Sequence, residues 1–330
     1  MEKVIAVVVT ANRLPLLSRC VAALKNQSRT PDAILIVSNE RNNDTAQWAS
    51  SNDSFYIFPT GDKDPQGFVA GIEWAYKKGY SWIWCMEDSS YPKEDALEKM
   101  LEADSGRLCL YNSVQLNISD RKKFGQQINN CGTMDAITAR LIHGIGYPLN
   151  GIMIHRNIIE RVGIPQQKLF LSGYEAEYYY RITRKNNIPV CTVAGNIYYH
   201  PSVTAPTYKQ DWNYKTDWKM YFCVRNRLCV SKAKYTTKLA AWFNYCGFLL
   251  AMAAAVLVYQ KTDKLKKIRF LFWPALDAFA NNFYATPQLI AEQLKNNLTN
   301  PFRDSAMHFI RGIVAVIASL LTPQRKTVDA

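Results

Sequence analysis

Within the first forty residues a β-branched run, an amphipathic segment and a second apolar run follow one another so closely that only parallel strands accommodate them. Val4 to Thr10 is rich in valine and isoleucine, which suit a pleated, buried strand. Leu14 to Asn26 then places Leu17, Val21 and Leu24 on one face of a helix. Ile34 to Val37 is a second short strand, closed by Ser38, Asn39 and a polar loop through Asp44. Strand, helix, strand at this spacing is a βαβ unit, which predicts a parallel sheet with helices on its faces. A loop with glycines at 61, 67 and 71 and a helix from about Phe68 to Lys78 lead into a third strand, Trp82 to Met86.

That third strand stops at two adjacent carboxylates, Glu87 and Asp88, followed by Ser89, Ser90 and Pro92. In open α/β sheets the ligand crevice lies outside the carboxyl ends of the strands, and carboxylates there suit Mg²⁺ or Mn²⁺ holding a diphosphate. Taken alone, the same residues also describe a strand running into a polar turn. Further on, Leu101 to Phe124 suggests a helix, a strand from Leu108 to Tyr111 and a polar excursion. Tyr147 to His155 suggests a turn and a strand, and Ile188 to Val193 another strand. On a helix starting near Tyr174, Glu177 and Arg181 are one turn apart and can pair, while Glu175 lies on a different azimuth. A carboxylate in that position is also an ordinary capping acid.

The formal charge is +13, unevenly placed: from Ser231 onward there are thirteen Lys and Arg against five Asp and Glu. A basic tail suggests an anionic partner, nucleic acid or phospholipid. Leu239 to Tyr259 is apolar apart from Asn244 and bounded by Lys238 and Lys261, long enough to span a membrane, insert in one leaflet or form a buried hairpin. The basic, aromatic stretch Lys264 to Trp273 and the apolar run Ile310 to Leu321 favour an anionic membrane surface. No nucleic-acid partner is expected, since no binding motif accompanies the charge. Eight cysteines without a CxxC pair suggest reduced, buried thiols. The opening residues lack the features of a secretion signal and suggest the first core strand of a cytoplasmic protein.

Several stretches together, Val7-Val-Val-Thr10-Ala-Asn12-Arg13, Pro31-Asp32-Ala-Ile-Leu-Ile-Val-Ser-Asn39, Gly67-Phe-Val-Ala-Gly71 and Trp82-Ile-Trp-Cys-Met-Glu87-Asp88-Ser89, resemble the amino-terminal half of family 2 glycosyltransferases. The resemblance implies an α/β GT-A (nucleotide-diphospho-sugar transferase) fold over residues 1–230, with a basic, apolar, helical, membrane-associated region over 231–330. It implies nucleotide contacts from Thr10, Asn12, Arg13, Asn39, Gly67, Glu87 and Asp88. It also implies a divalent cation, Mn²⁺ or Mg²⁺, on Glu87, Asp88 and His200. The family usually carries Asp-Asp-Asp or Asp-x-Asp where this chain has Glu87-Asp88-Ser89. Phe170-Leu-Ser-Gly-Tyr174-Glu175-Ala-Glu177 resembles the stretch that supplies the family's general base, which falls on Glu175; Tyr174 stands where an acid is usual and Ser172 where tryptophan is. Asn150, Gly151, Tyr174, Glu177, Arg181 and Arg225 are implied at the donor sugar or acceptor, Arg225 through a tyrosine and arginine-asparagine element common in bacterial polysaccharide members.

The expectation is therefore an inverting transferase moving a sugar of galactofuranose or rhamnose type from a UDP- or dTDP-sugar donor to a lipid-linked glycan acceptor, as in O-antigen or galactan assembly, at the cytoplasmic face of the inner membrane. The alternative is an inactive nucleotide-sugar-binding protein or a membrane adaptor.

Overall fold

The structure is a computed structural model that describes residues 2–39, 43–58, 67–125, 134, 137, 139–144, 149–201, 211–213 and 216–295. Gly61, Cys131, Tyr147 and the run from Ile310 to Leu321 lie outside the described residues. The chain forms two compact units: residues 1–167 with 178–205, and residues 168–177 with 206–330.

The first unit is built on a nine-stranded mixed sheet. In chain order its elements are β1 (Val4–Thr10), α1 (Leu14–Lys25), β2 (Ala33–Ser38), α2 (Asn43–Ser51), β3 (Phe55–Ile57), α3 (Gly67–Lys77), β4 (Trp82–Glu87), β5 (Tyr91–Pro92), α4 (Ala96–Glu102), β6 (Leu110–Asn117), β7 (Leu141–His143), β8 (Ile152–His155), α5 (Arg156–Val162) and β9 (Val190–His200). The strand order is β3-β2-β1-β4-β8-β6-β9-β5, with β7 pairing β9. β1 is parallel to both β2 and β4, as the βαβ spacing requires, and every residue of β1 is buried. Beyond β4 the sheet turns antiparallel through β8. Leu17, Cys20, Val21 and Leu24 of α1 join Val4, Ala6, Val8, Trp82, Trp84 and Met86 in the main core. The register sets Thr10 beside Ser38 and Val9 beside Glu87, so β1, β2 and β4 end at one level.

Two elements differ from the sequence expectation. α2 occupies part of the stretch expected as a polar loop. β6 runs through the polar excursion, with Asn112, Ser113 and Gln115 fully buried at the centre of the sheet. Those side chains find partners there: Asn112 Nδ2 donates to Thr192 Oγ1 (3.3 Å), Ser113 Oγ to the Gly151 carbonyl (2.9 Å) and Gln115 Nε2 to the Asn150 carbonyl (2.9 Å). Buried polar groups are tolerated when hydrogen-bonded, and such partners cannot be seen in a hydrophobicity pattern.

The second unit begins with residues 168–177, which carry the start of α6 (Tyr174–Tyr180), and continues through α7 (Lys219–Lys234), α8 (Lys238–Tyr259), α9 (Lys264–Phe279) and α10 (Pro287–Lys295). α7 is continuous through residue 230. Tyr221, Phe222 and Val224 of α7 pack with Met252 and Val256 of α8, Phe270 and Trp273 of α9, and Ile290 and Leu294 of α10. The buried ammonium of Lys267 donates to Asp211 Oδ1 (2.6 Å) and Gln260 Oε1 (2.9 Å), which satisfies a charge inside this core. α8 is the one helix among the described residues long and apolar enough to cross a membrane. Phe243 and Leu250 on it are 70% and 72% exposed. The seven described cysteines are all free thiols.

The packing of α3 on the sheet yields a test. A Cβ on Gly71 would lie 2.4 Å from Val7 Cγ1 and 3.1 Å from Val37 Cγ2, both on central strands. Glycine to alanine in an open helix gains about 1 kcal/mol, whereas overpacking a rigid core costs about 1–3 kcal/mol. Gly71→Ala is therefore expected to lower stability by about 1 kcal/mol, seen as an earlier midpoint in urea denaturation followed by tryptophan fluorescence.

Candidate active site

The site of the first unit begins with a buried acid. Asp88 follows β4 with no solvent exposure, and its amide donates to the Val9 carbonyl (3.0 Å). Thr10, the last residue of β1, donates its hydroxyl to Asp88 Oδ2 at 2.6 Å. Arg13 forks onto both carboxylate oxygens, Nε to Oδ2 at 3.2 Å and Nη2 to Oδ1. Arg13 reaches back because Asn12 turns the chain through a left-handed conformation (φ 59°) just before α1, and its side chain stays 47% exposed. Asp88, expected as a cation ligand, has its oxygens engaged here by a guanidinium and a hydroxyl.

The neighbouring expected residues gather along the same edge. Asn12 Oδ1 accepts from Ser38 Oγ (3.1 Å) and Thr45 Oγ1 (3.4 Å). Asn39 Oδ1 accepts from the Gly67 amide (3.2 Å) at the start of α3. A side chain at Gly67 would meet Asn39 Oδ1 at 2.8 Å and Val9 Cγ1 at 2.6 Å, so glycine alone permits this approach. Thr10, Asn12, Arg13, Asn39, Gly67 and Asp88 thus line the carboxyl ends of β1, β2 and β4, where a sheet of this kind opens its crevice.

Glu87 adjoins a second cluster. Asn150 Oδ1 accepts from the Glu87 amide (3.3 Å) and from the Tyr198 hydroxyl (2.9 Å). Gly151 adopts φ 79° and donates to the Cys85 carbonyl (2.8 Å), and a Cβ there would come within 3.2 Å of the Tyr198 ring. Burial pushes the Tyr198 hydroxyl well above its ordinary pKa, which keeps it a donor. Tyr198 and Gln115 were not among the sequence candidates. Strand alternation in Asn196-Ile-Tyr-Tyr-His200 was the available signal for Tyr198.

His200 is buried, and its Nδ1 lies 2.6 Å from the Pro201 carbonyl oxygen. A carbonyl only accepts, so this contact assigns the proton to Nδ1 and the lone pair to Nε2. The pairing of Tyr91 with Tyr199 sets His200 one residue beyond that pair, on the side towards Ser90 and the end of β4. Ser89 Oγ donates to Glu87 Oε2 at 3.4 Å. Among the described residues no three His, Cys, Asp or Glu side chains cluster as a ready-made metal cage. Glu87, Asp88 and His200 carry oxygen and nitrogen atoms of the kinds that divalent cations accept as ligands.

In the second unit the Tyr174 hydroxyl donates to Glu175 Oε1 at 3.0 Å at the start of α6. Glu177 is buried and its amide donates to the Gly173 carbonyl (2.9 Å). Arg225 corrects an expectation: implied at the donor sugar or acceptor, it is 1% exposed and enclosed by the rings of Phe222, Phe283 and Tyr221. Desolvation lowers its pKa, opposed by the charge of Tyr221. Arg181, in the first unit, donates to the carbonyls of Val162 and Ile164, which secures the turn after α5.

Comparison with known proteins agrees with this architecture. Residues 5–158 match the family described as Glycosyl transferase family 2. Galactofuranosyltransferase GlfT1 of Mycolicibacterium smegmatis (strain ATCC 700084 / mc(2)155) is 26% identical over 219 residues, covering 62% of this chain and 72% of that protein. Galactofuranosyltransferase GlfT1 of Mycobacterium tuberculosis (strain ATCC 25618 / H37Rv) is 26% identical over 272 residues, covering 76% and 89%. Among solved structures, S. aureus TarS 1-349 superposes with a TM-score of 0.53 at 12% identity, covering all of this chain and 95% of that one. The same protein in complex with UDP-GlcNAc gives 0.54 at 10% identity, covering 94% and 92%, a likeness of fold. Residues 5–158 therefore form a family 2 glycosyltransferase domain, and the chain is a glycosyltransferase of the GT-A fold.

Proposed function

We propose that the chain is an inverting transferase that moves a galactofuranosyl group from UDP-galactofuranose to a lipid-linked glycan in cell-surface polysaccharide synthesis. The observation that carries the reading is the likeness to the GlfT1 galactofuranosyltransferases, which extends over 76% of the chain and so past the nucleotide-binding half. A rhamnosyl group from a dTDP-sugar is the second donor to test. In this reading the nucleotide lies along Thr10, Asn12, Arg13, Asn39 and Gly67, with the exposed part of the Arg13 guanidinium available to phosphate. Glu175 takes the proton of the acceptor hydroxyl as its oxygen attacks the anomeric carbon. The bond from that carbon to the diphosphate breaks, and UDP leaves with the electron pair. A divalent cation held by Glu87 and His200 supplies, when bound, positive charge against the diphosphate.

Attachment at the cytoplasmic membrane face is proposed for the helical unit. It rests on the exposed apolar side chains of α8, with Lys238 and Lys261 at its ends and the excess of basic residues after Ser231. Basic residues beside an apolar helix favour an anionic lipid surface.

Four outcomes test the proposal. Glu175→Gln is expected to lower kcat by about 10²–10⁴-fold while UDP affinity by calorimetry is unchanged. His200→Ala is expected to raise the Mn²⁺ concentration for half-maximal turnover by at least about tenfold. Asp88→Asn acts on the fold, lowering stability by about 1.5–3 kcal/mol through its charged hydrogen bonds, with the Mn²⁺ midpoint of the remaining folded enzyme unchanged. Finally, the protein is expected to co-sediment with vesicles containing phosphatidylglycerol and to be released by a paired Phe243→Glu and Leu250→Glu change that leaves transfer to a water-soluble acceptor intact.

A further inference from the structure

The segment leading to Glu175 is held by two adjacent side chains of α7. Asn226 is fully buried, and its Nδ2 donates to the carbonyls of Phe170 (3.1 Å) and Ser172 (2.7 Å), so both amide hydrogens go to carbonyls two residues apart. Its Oδ1 accepts from Arg225 Nε at 2.9 Å. Arg225 in turn donates from Nη2 to the Lys168 carbonyl at 3.4 Å, and the Phe170 ring packs edge-on against Phe222 at 5.1 Å. Alternate carbonyls of residues 168, 170 and 172 are therefore captured by one buried pair.

The captured backbone is not in a relaxed conformation. Leu171 has φ 65° and Gly173 φ 83°, both in the left-handed region. A left-handed leucine is strained and persists only where its surroundings hold it. A Cβ on Gly173 would meet Val230 Cγ2 at 3.1 Å and Asn226 Cβ at 3.5 Å, so the segment lies close against α7. Only Tyr174 separates Gly173 from Glu175, whose carboxylate already has the Tyr174 hydroxyl as a neighbour. Asparagine is specific in this role. Aspartate of the same shape has no hydrogens to donate, and alanine leaves two buried carbonyls unpaired.

We infer that Asn226 is a positioning residue for the Glu175 carboxylate: by fixing the strained turn at 170–173 it sets where the proton-accepting group stands, without touching substrate itself. This inference rests on the assignment of Glu175 as the base. A displacement of about 1 Å at a reacting group costs on the order of 10²-fold in rate.

The test uses the full chain, UDP-galactofuranose and an octyl galactofuranoside acceptor, with rates expressed per folded enzyme. Asn226→Ala and Asn226→Asp are expected to lower kcat by about 10²-fold with the donor KM within about twofold of the parent. Gly173→Ala, which disturbs the same turn from its other side, is expected to do the same. Ser231→Ala, on the same helix as Asn226, removes the part-buried hydrogen bond from Ser231 Oγ to Asn244 Oδ1 of α8 (2.9 Å); it is the control for simple destabilisation and is expected to keep kcat. In a Glu175→Gln background Asn226→Ala is expected to add no further loss, because two residues acting through one group are not additive. Hydrogen exchange gives a readout independent of any donor: the peptide covering residues 168–177 is expected to exchange at least about tenfold faster in Asn226→Ala and not in Ser231→Ala. Additive losses in the double variant, or unchanged exchange in that peptide, overturn the inference. If Glu175→Gln keeps full kcat, the base assignment fails first; if Glu175→Gln is inactive while Asn226→Ala turns over normally, only the positioning role fails.

Discussion

Asp88 is the point on which the sheet unit closes. It ends one strand, accepts a hydrogen bond from the last residue of β1, and takes a forked guanidinium from the residue that caps α1. A buried carboxylate without such partners costs several kcal/mol, so the three segments are tied by the need to satisfy a single charge. The consequence is geometric. β1 cannot shift against β4, and Asn12 stays in its left-handed turn, where its amide oxygen meets Ser38 and Thr45 of the adjoining segments. The open edge at these strand ends is a by-product of this closure, because Arg13, which holds Asp88, leaves one side of its guanidinium exposed.

The strand ends and the order of elements were legible because they follow from periodicity alone: β1, α1, β2, α3 and β4 each lie within a few residues of their expected bounds. The roles of acids and bases were legible only in part. Adjacent Glu87 and Asp88 look equivalent in sequence, yet strand alternation sends them to different partners, one to the core lock and one to the Asn150 and Ser89 side. Arg225 illustrates the same limit from the other direction. The arginine-asparagine element implied a side chain at the donor sugar or acceptor, whereas three aromatic rings and a carbonyl enclose it. Phe283 and Lys168 among those partners come from segments more than fifty residues away, and no local pattern encodes them.

β6 shows why a polar stretch can be structural. Asn112, Ser113 and Gln115 sit where a parallel strand is ordinarily aliphatic, and each satisfies a carbonyl or hydroxyl of a neighbouring segment. Two of those carbonyls belong to Asn150 and Gly151, which in turn hold the Glu87 amide, the Cys85 carbonyl and the Tyr198 hydroxyl. The polarity of β6 is therefore coupled to the loop before β8, and through it to the end of β4. Aliphatic substitutes would pack in the sheet but leave those carbonyls without donors.

The two departures from the family pattern share a physical form. Where the family usually carries a third acid after β4, this chain has Ser89, and its hydroxyl lies 3.4 Å from Glu87 Oε2. Where an acid usually precedes the base, it has Tyr174, and that hydroxyl lies 3.0 Å from Glu175 Oε1. In each case a like-charged neighbour is replaced by a donor facing the retained carboxylate. The exchange removes a repulsion and adds an orienting hydrogen bond, the stronger of the two at Glu175, where the contact is shorter. It also removes a negative charge from each place, so less positive charge is needed to balance the end of β4.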